Sequence, residues 1–160
     1  WSSVTRQALG LDWVILTTYA ETIAYSEVVA DMPRRLPGGG TMIHSGLDFA
    51  ASMFSTAPGE ARRRAIDLSG NGRTDDLDLL SEVRDRLNRQ GIVINALAIE
   101  ELNNDLTNYF HRHLIGGPGA FVVTADEFDD VAKAMQIKLY REISGTVVSE
   151  LPHRLASHQP

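Results

Sequence analysis

Cysteine is absent from the 160 residues. That excludes a disulfide framework, a thiolate nucleophile and a thiolate metal site. It leaves the compartment open, because exported proteins also manage without cysteine. Basic charge is scarce as well. Fifteen Lys and Arg against 21 Asp and Glu give a net charge of −6, so no basic stripe exists to displace counterions from nucleic acid or to settle on an anionic membrane. The one basic run, Arg62-Arg63-Arg64, is short and reads as a solvated strand entry. No apolar run approaches the roughly 18 residues of a membrane-spanning helix, so no integral membrane segment is expected. Internal repeats and low-complexity tracts are missing too. The chain opens at Trp1 without an initiator Met, which reads as a cut within a domain; a signal peptide would lie upstream of such a cut.

What remains is an ordinary globular composition, 43% hydrophobic and 22% charged, in a length that suits one domain with a real core. The pattern alternates between strand and helix. Residues 7–14 put Ala8 and Asp12 on one face and Leu9, Leu11 and Trp13 on the other, as in a half-buried edge strand. Thr17 or Thr18 can cap a helix to about Asp31, with Ile23, Val28 and Met32 on its inner side; Pro33 stops it. Pro37-Gly38-Gly39-Gly40 is a loop that needs unusual backbone angles or close approach to something. A helix from Thr41 then carries Ile43, Leu47, Ala50, Ala51 and Phe54 at helical spacing, ending near Pro58-Gly59.

A short strand follows at residues 65–68. Thr74 is positioned to cap the next helix, with Asp75 and Asp76 in its favoured acidic first turn, and Leu80, Val83 and Leu87 form its buried stripe before Gly91. Residues 92–99 are nearly all apolar, the mark of a strand covered on both faces. A helix holding Leu106, Tyr109, Phe110 and Leu114 precedes the breaker Gly116-Gly117-Pro118-Gly119. Residues 120–123 read as a last short strand. Thr124 with Glu127 makes a capping box for a helix carrying Phe128, Val131, Met135, Leu139 and Ile143. The domain is expected to span residues 1–143, with 144–160 a frayed polar tail. Strands alternating with helices imply a Rossmann-like α/β sheet with parallel pairing.

The stretch Ala65-Ile66-Asp67-Leu68-Ser69-Gly70-Asn71-Gly72-Arg73-Thr74-Asp75-Asp76 is the richest in chemistry. A strand runs into a glycine-flanked loop of oxygen donors, the way α/β domains build a metal or phosphate site at the carboxyl end of a strand. Taken alone, Ser69-Gly70-Asn71-Gly72 also serves as a plain turn, and Gly39-Gly40-Thr41 as a loop and cap. A third reading counts Asp67, Ser69, Asn71, Asp75 and Asp78 as donors 1, 3, 5, 9 and 12 of a calcium loop with Gly72 at position 6, like a dockerin module.

With Trp1-Ser2-Ser3, Asp12-Trp13, Gly39-Gly40-Thr41, residues 66–72 and residues 113–123 in place, nearly the whole chain resembles the von Willebrand factor A-like domains. It is most similar to a bacterial group of them known only as a domain of unknown function. The resemblance implies a three-layer sheet, mostly parallel with one antiparallel edge strand at residues 7–14 and incomplete at the N-terminus. Trp1–Ser3 would end the second strand, and residues 65–68, 92–99 and 120–123 would be the fourth, fifth and sixth. With the first strand missing, residues 1–16 should be the worst packed, beside a coherent three-stranded parallel core at 61–143.

Such domains hold a divalent cation (Mg, Mn or Ca) at the top of the sheet. The ligands are an Asp-x-Ser-x-Ser set after the first strand, a Thr from a second loop and an Asp from a third. The first set is missing from this chain. Thr41 fits the second element, and Asn71 stands where the third carboxylate is expected, offering a neutral carbonyl instead. Ser69 and Asp67 are outer candidates; Asp67 lies inside the strand, where it can face away from the site.

Nucleophilic catalysis finds little support, because Ser69 lacks the Gly-x-Ser-x-Gly elbow. His111 and His113 point about 200° apart on a helix and cannot chelate one ion. His44, one turn beyond Thr41, can edge the site. The resemblance implies a non-enzymatic domain that binds a protein partner through this upper surface, with export to the periplasm or cell exterior. A metal-dependent hydrolase with Asp67 as acid or base is the alternative of a different class.

Overall fold

The computed structural model describes residues 1, 5–33, 36, 39–102 and 105–144. Along the chain run α1 (Tyr19–Ala30), α2 (Ile43–Met53), β1 (Arg64–Gly70), α3 (Leu77–Arg89), β2 (Ile92–Ile99), α4 (Leu106–His113), β3 (Val122–Ala125) and α5 (Val131–Ser144). The strands form one sheet in the order β1-β2-β3, with both pairings parallel. All eight residues of β2 are buried, which is why the strand reads as an unbroken apolar run: helices cover both of its faces. On one face Ile66, Leu68, Ile94 and Ala96 meet Ile43 and Leu47 of α2, Leu80, Val83 and Leu87 of α3, and Leu106, Phe110 and Leu114. On the other, Leu97, Ile99 and Ala125 pack against Ala134, with Val131 and Met135 beside them.

The expected antiparallel edge strand does not form. Residues 7–14 make no ladder, and the sheet among the described residues is parallel only. Local chemistry explains the difference. The Asp12 carboxylate accepts the Trp13 amide at 2.7 Å, taking a donor that a ladder needs. The Trp13 ring docks on the end of α2 instead: its indole N–H donates to the Met53 carbonyl at 3.0 Å, and the ring lies 5.8 Å from that of Phe54. Side-chain anchoring replaces backbone pairing. The three-stranded parallel core is as expected, and no residue among 5–33 is buried.

Helix starts and faces carry further corrections. Thr18 caps α1 in a full capping box with Glu21, yet Ile23, Val28 and Met32 stay 44–50% exposed. At roughly 100° per residue Val28 and Met32 point about 140° and 180° away from Ile23, so the three cannot share one face. Helix α2 ends at Met53, before a 3-10 turn at Phe54–Thr56 rather than near Pro58. The cap of α3 is Asp76, which accepts the Leu79 amide at 3.0 Å; Thr74 instead accepts the Asp76 amide in the turn before it. Strand β3 starts two residues later than expected and contains Thr124, so no capping box with Glu127 forms.

Along α5 the series 131, 135, 139, 143 drifts roughly 40° per step. The helix therefore buries Ala134 and Lys138 and leaves Leu139 and Ile143 outside, while Phe128, also exposed, lies in a 3-10 turn before it. The polar tail expected at 144–160 lies, from residue 145 on, outside the described residues, as do Ser2 and Ser3.

Candidate functional site

Two loops meet at the carboxyl end of β1. The strand ends at Gly70, and Asn71 and Gly72 continue it over the start of α2. Thr41, two residues before that helix, lies against them: a Cβ built on Gly72 would stand 3.1 Å from the Thr41 hydroxyl oxygen. Between the loops is a cleft of about 330 Å³, lined by Gly39, Gly40, Thr41, Ser69, Asn71 and Gly72 and backed by the Trp1 ring. The two residues singled out as primary donors, Thr41 and Asn71, are thus brought to one cleft, with Ser69 on its wall.

Asp67 is not brought there. Residues 66 and 68 face α2 and α3, so the strand pleat turns Asp67 to the opposite face, where its carboxylate forms an ion pair with the fully buried Lys138 of α5. A polar layer continues from there. Asn95, buried in the middle of β2, donates to the Glu142 carboxylate and accepts the Phe121 amide at 3.2 Å. Glu142 also pairs with Arg63 at 2.6 Å. These groups fasten α5 to the sheet.

The loop after β1 is fixed from several sides. Asp75 accepts the Thr41 amide through Oδ2 at 3.0 Å, and its own amide donates to the Thr41 carbonyl at 3.1 Å. The Thr74 amide donates to the Tyr109 hydroxyl at 3.3 Å. The Arg73 guanidinium sits 5.1 Å over the Tyr109 ring and 3.4 Å from Asp105. Burial pushes the Tyr109 hydroxyl above its ordinary value of 10.0, against the opposing pull of the Thr74 amide and the Arg73 charge. At the end of β2 the Glu100 carboxylate accepts the Thr107 and Leu106 amides at 2.8 and 3.1 Å, bridging to the start of α4.

One glycine of the loop has its explanation, while Pro37 and Gly38 lie outside the described residues. Gly40 has no positive φ, so close approach is what the residue serves. A Cβ there would stand 2.8 Å from the Asp75 carboxylate. From the sequence Asp75 reads as part of a helix start or as donor 9 of a calcium loop, and the signal that can pair it with Gly40 is the glycine run itself. Tyr109 and Lys138 carried no such signal, since each reads as an ordinary member of a helix.

The other candidates sit apart. His44 is buried in α2, 8% exposed, outside the cleft lining. His111 is exposed, and the His113 ring lies 4.9 Å from Tyr109. Asp78 stands exposed in the first turn of α3. Among the described residues, no three His, Asp or Glu side chains converge so as to hold a metal ion. Also among them, no helix is long and apolar enough to cross a membrane.

A parallel α/β sheet with paired loops at the carboxyl end of an edge strand defines the class of this protein. Residues 1–147 match the family described as "Protein of unknown function (DUF1194)", and the chain belongs to it. No curated protein matches the chain.

Proposed function

We propose that this is a non-enzymatic protein-binding domain of the von Willebrand A type, with the Thr41–Asn71 cleft as its partner-contacting surface. The observation that carries the reading is the meeting of Thr41 and Asn71 in one cleft, although they lie 30 residues apart in the sequence. Polar loops held on a rigid parallel sheet are the usual seat of recognition in such folds. Two further facts support the reading. Asp67, the candidate acid or base of a hydrolase, is engaged by Lys138 away from the cleft. A second cleft of about 410 Å³ runs between residues 8–14 and residues 65–67. Among the described residues β1 pairs with β2 alone, and the von Willebrand A reading places a further strand along this other edge.

A divalent cation fits these residues only in part. Thr41 and Asn71 offer neutral oxygens, and the Asp75 carboxylate already accepts the Thr41 amide. Hard dications take about six or more oxygens, so this set would serve only within a larger one. The proposed partner contact therefore does not depend on the ion. Export to the periplasm or cell exterior belongs to the same proposal, and cell fractionation with an antibody to the chain checks it.

A photo-crosslinking residue at Ser69 tests the surface. The expected result is a discrete crosslinked protein, lost on Thr41→Arg and never seen from a control position at exposed Glu82. Equal capture from both positions, or none from Ser69, overturns the reading. Calorimetric titration with magnesium, manganese and calcium asks separately whether an ion takes part.

A further inference from the structure

We infer that Asp75 is the positioning residue of the cleft: it holds the Gly39–Thr41 segment in register with Asn71. The inference rests on the cleft being the contacting surface for its functional meaning, but its geometry stands alone. The two bonds between Asp75 and Thr41 form a closed pair, side chain to amide and amide to carbonyl. They span 34 residues of sequence and join the approach to α2 with the approach to α3. Among the described residues no other hydrogen bond joins residues 39–41 to the loop at 71–76, and Met42, at the N-cap of α2, makes no side-chain cap bond. Thr41 is thus set by Asp75, and its hydroxyl faces Gly72 as a result.

The glycine makes the arrangement specific. The Asp75 carboxylate occupies the space that a β-carbon at residue 40 would need, at 2.8 Å. Any other residue at 40 must displace the carboxylate, which is the free end of a side chain and can swing away. Gly40→Ala should therefore break the same bond as Asp75→Ala, from the opposite side of the contact. Gly40 has no positive φ to lose, so the backbone itself admits alanine.

Amide hydrogen exchange at Thr41, measured by NMR on the full chain, reads this directly. Asp75→Ala should speed exchange about tenfold, the order expected for losing a bond to a charged acceptor. Gly40→Ala should do the same. The double variant should add nothing further, because both changes remove one interaction. Asp75→Asn keeps a carbonyl acceptor and should restore protection to within about threefold. Leu80 and Val83 amides should be unchanged throughout, which shows that α3 still folds. Unchanged Thr41 exchange in Asp75→Ala, or fully additive effects in the double variant, would overturn the inference. The Ser69 crosslink should weaken in Asp75→Ala and recover in Asp75→Asn. If the unsubstituted chain gives no crosslink while the exchange pattern holds, the binding surface is wrong and the positioning role stands.

Discussion

Residues 5–33 and residues 64–144 are built on opposite principles. The first region is rich in large apolar side chains: Leu9, Trp13, Val14, Ile15, Leu16, Ile23, Val28 and Val29 all lie more than 40% exposed. Its helix α1 buries nothing and rests on a capping box. The second region also contains exposed apolar residues, but β2 and the stripes facing it are sealed. Hydrophobic content does not separate the two. Arrangement does: in α3, residues 80, 83 and 87 share one face, whereas the apolar residues of α1 are spread around the helix. A cap satisfies amides at one end and contributes about 1 kcal/mol, while a buried stripe contributes several times that. A 12-residue helix without burial is marginal in water, so α1 is expected to be the first of the described α-helices to open.

The largest test of this contrast is truncation on each side. Leu97→Ala or Phe110→Ala, both at 0% exposure, should cost about 3–5 kcal/mol. Ile23→Ala and Val28→Ala should stay within about 0.5 kcal/mol. Urea denaturation of the four variants reads both. A cost above about 1.5 kcal/mol for Ile23→Ala would mean that α1 is packed after all, and the comparison would collapse.

The second test concerns the polar layer beneath α5. Lys138 is fully buried while its partner Asp67 is 34% exposed, so the two halves of the pair are unequal. Asp67→Ala strands a buried ammonium and should cost about 2–3 kcal/mol, below the range for a wholly buried pair because solvent reaches one side. Lys138→Met leaves a carboxylate that can turn to water and should cost about 1 kcal/mol or less. The double variant Asp67→Leu with Lys138→Met should be no worse than Asp67→Ala alone. Equal costs for the two single changes would show that the pair is symmetric in solvent.

Periodicity makes the sheet half of the molecule legible in the sequence. The 92–99 run describes both faces of one strand and the 80/83/87 stripe one face of one helix, and each is buried as read; of the 106/109/110/114 set, Tyr109 alone is only partly buried. The same method failed on α5 because a repeated step of four drifts off a helical face, and because a lysine does not read as core until its carboxylate is known. It failed on residues 7–14 because alternation of side chains says nothing about the amide that Asp12 captures. The site divides along the same line. Thr41 and Asn71 are singled out by the resemblance to the von Willebrand A-like domains, and their glycine-flanked loops are a local pattern that one sequence displays. Asp75 acts on a residue 34 positions away, and a single sequence carries no direct trace of such a pair.

The smallest effect sharpens the contrast through two glutamates with the same displacement and different surroundings. In Glu21 the bond from the Thr17 amide is the largest influence, joined by the Thr17 hydroxyl and the Thr18 groups, and together they hold the carboxyl below its ordinary 4.5. In Glu100 burial pushes upward most strongly, but the Thr107 hydroxyl and amide and the Leu106 amide outweigh it, so that this carboxyl too lies below 4.5. The sign is the same for both. A carboxyl whose folded value lies below its unfolded one adds stability that is complete above the unfolded value and is lost as pH falls through the folded one. Acidification from pH 6 toward pH 3 should therefore weaken both ends. The consequences differ, because Glu100 ties the end of β2 to α4 whereas Glu21 serves α1 alone. Glu100→Gln should flatten part of the acid limb of global stability, read as the urea midpoint against pH. Glu21→Gln should leave that limb unchanged and lower only the amide protection of Thr22 and its neighbours in α1. A change in the global midpoint on Glu21→Gln as large as that on Glu100→Gln would show that α1 unfolds together with the sheet.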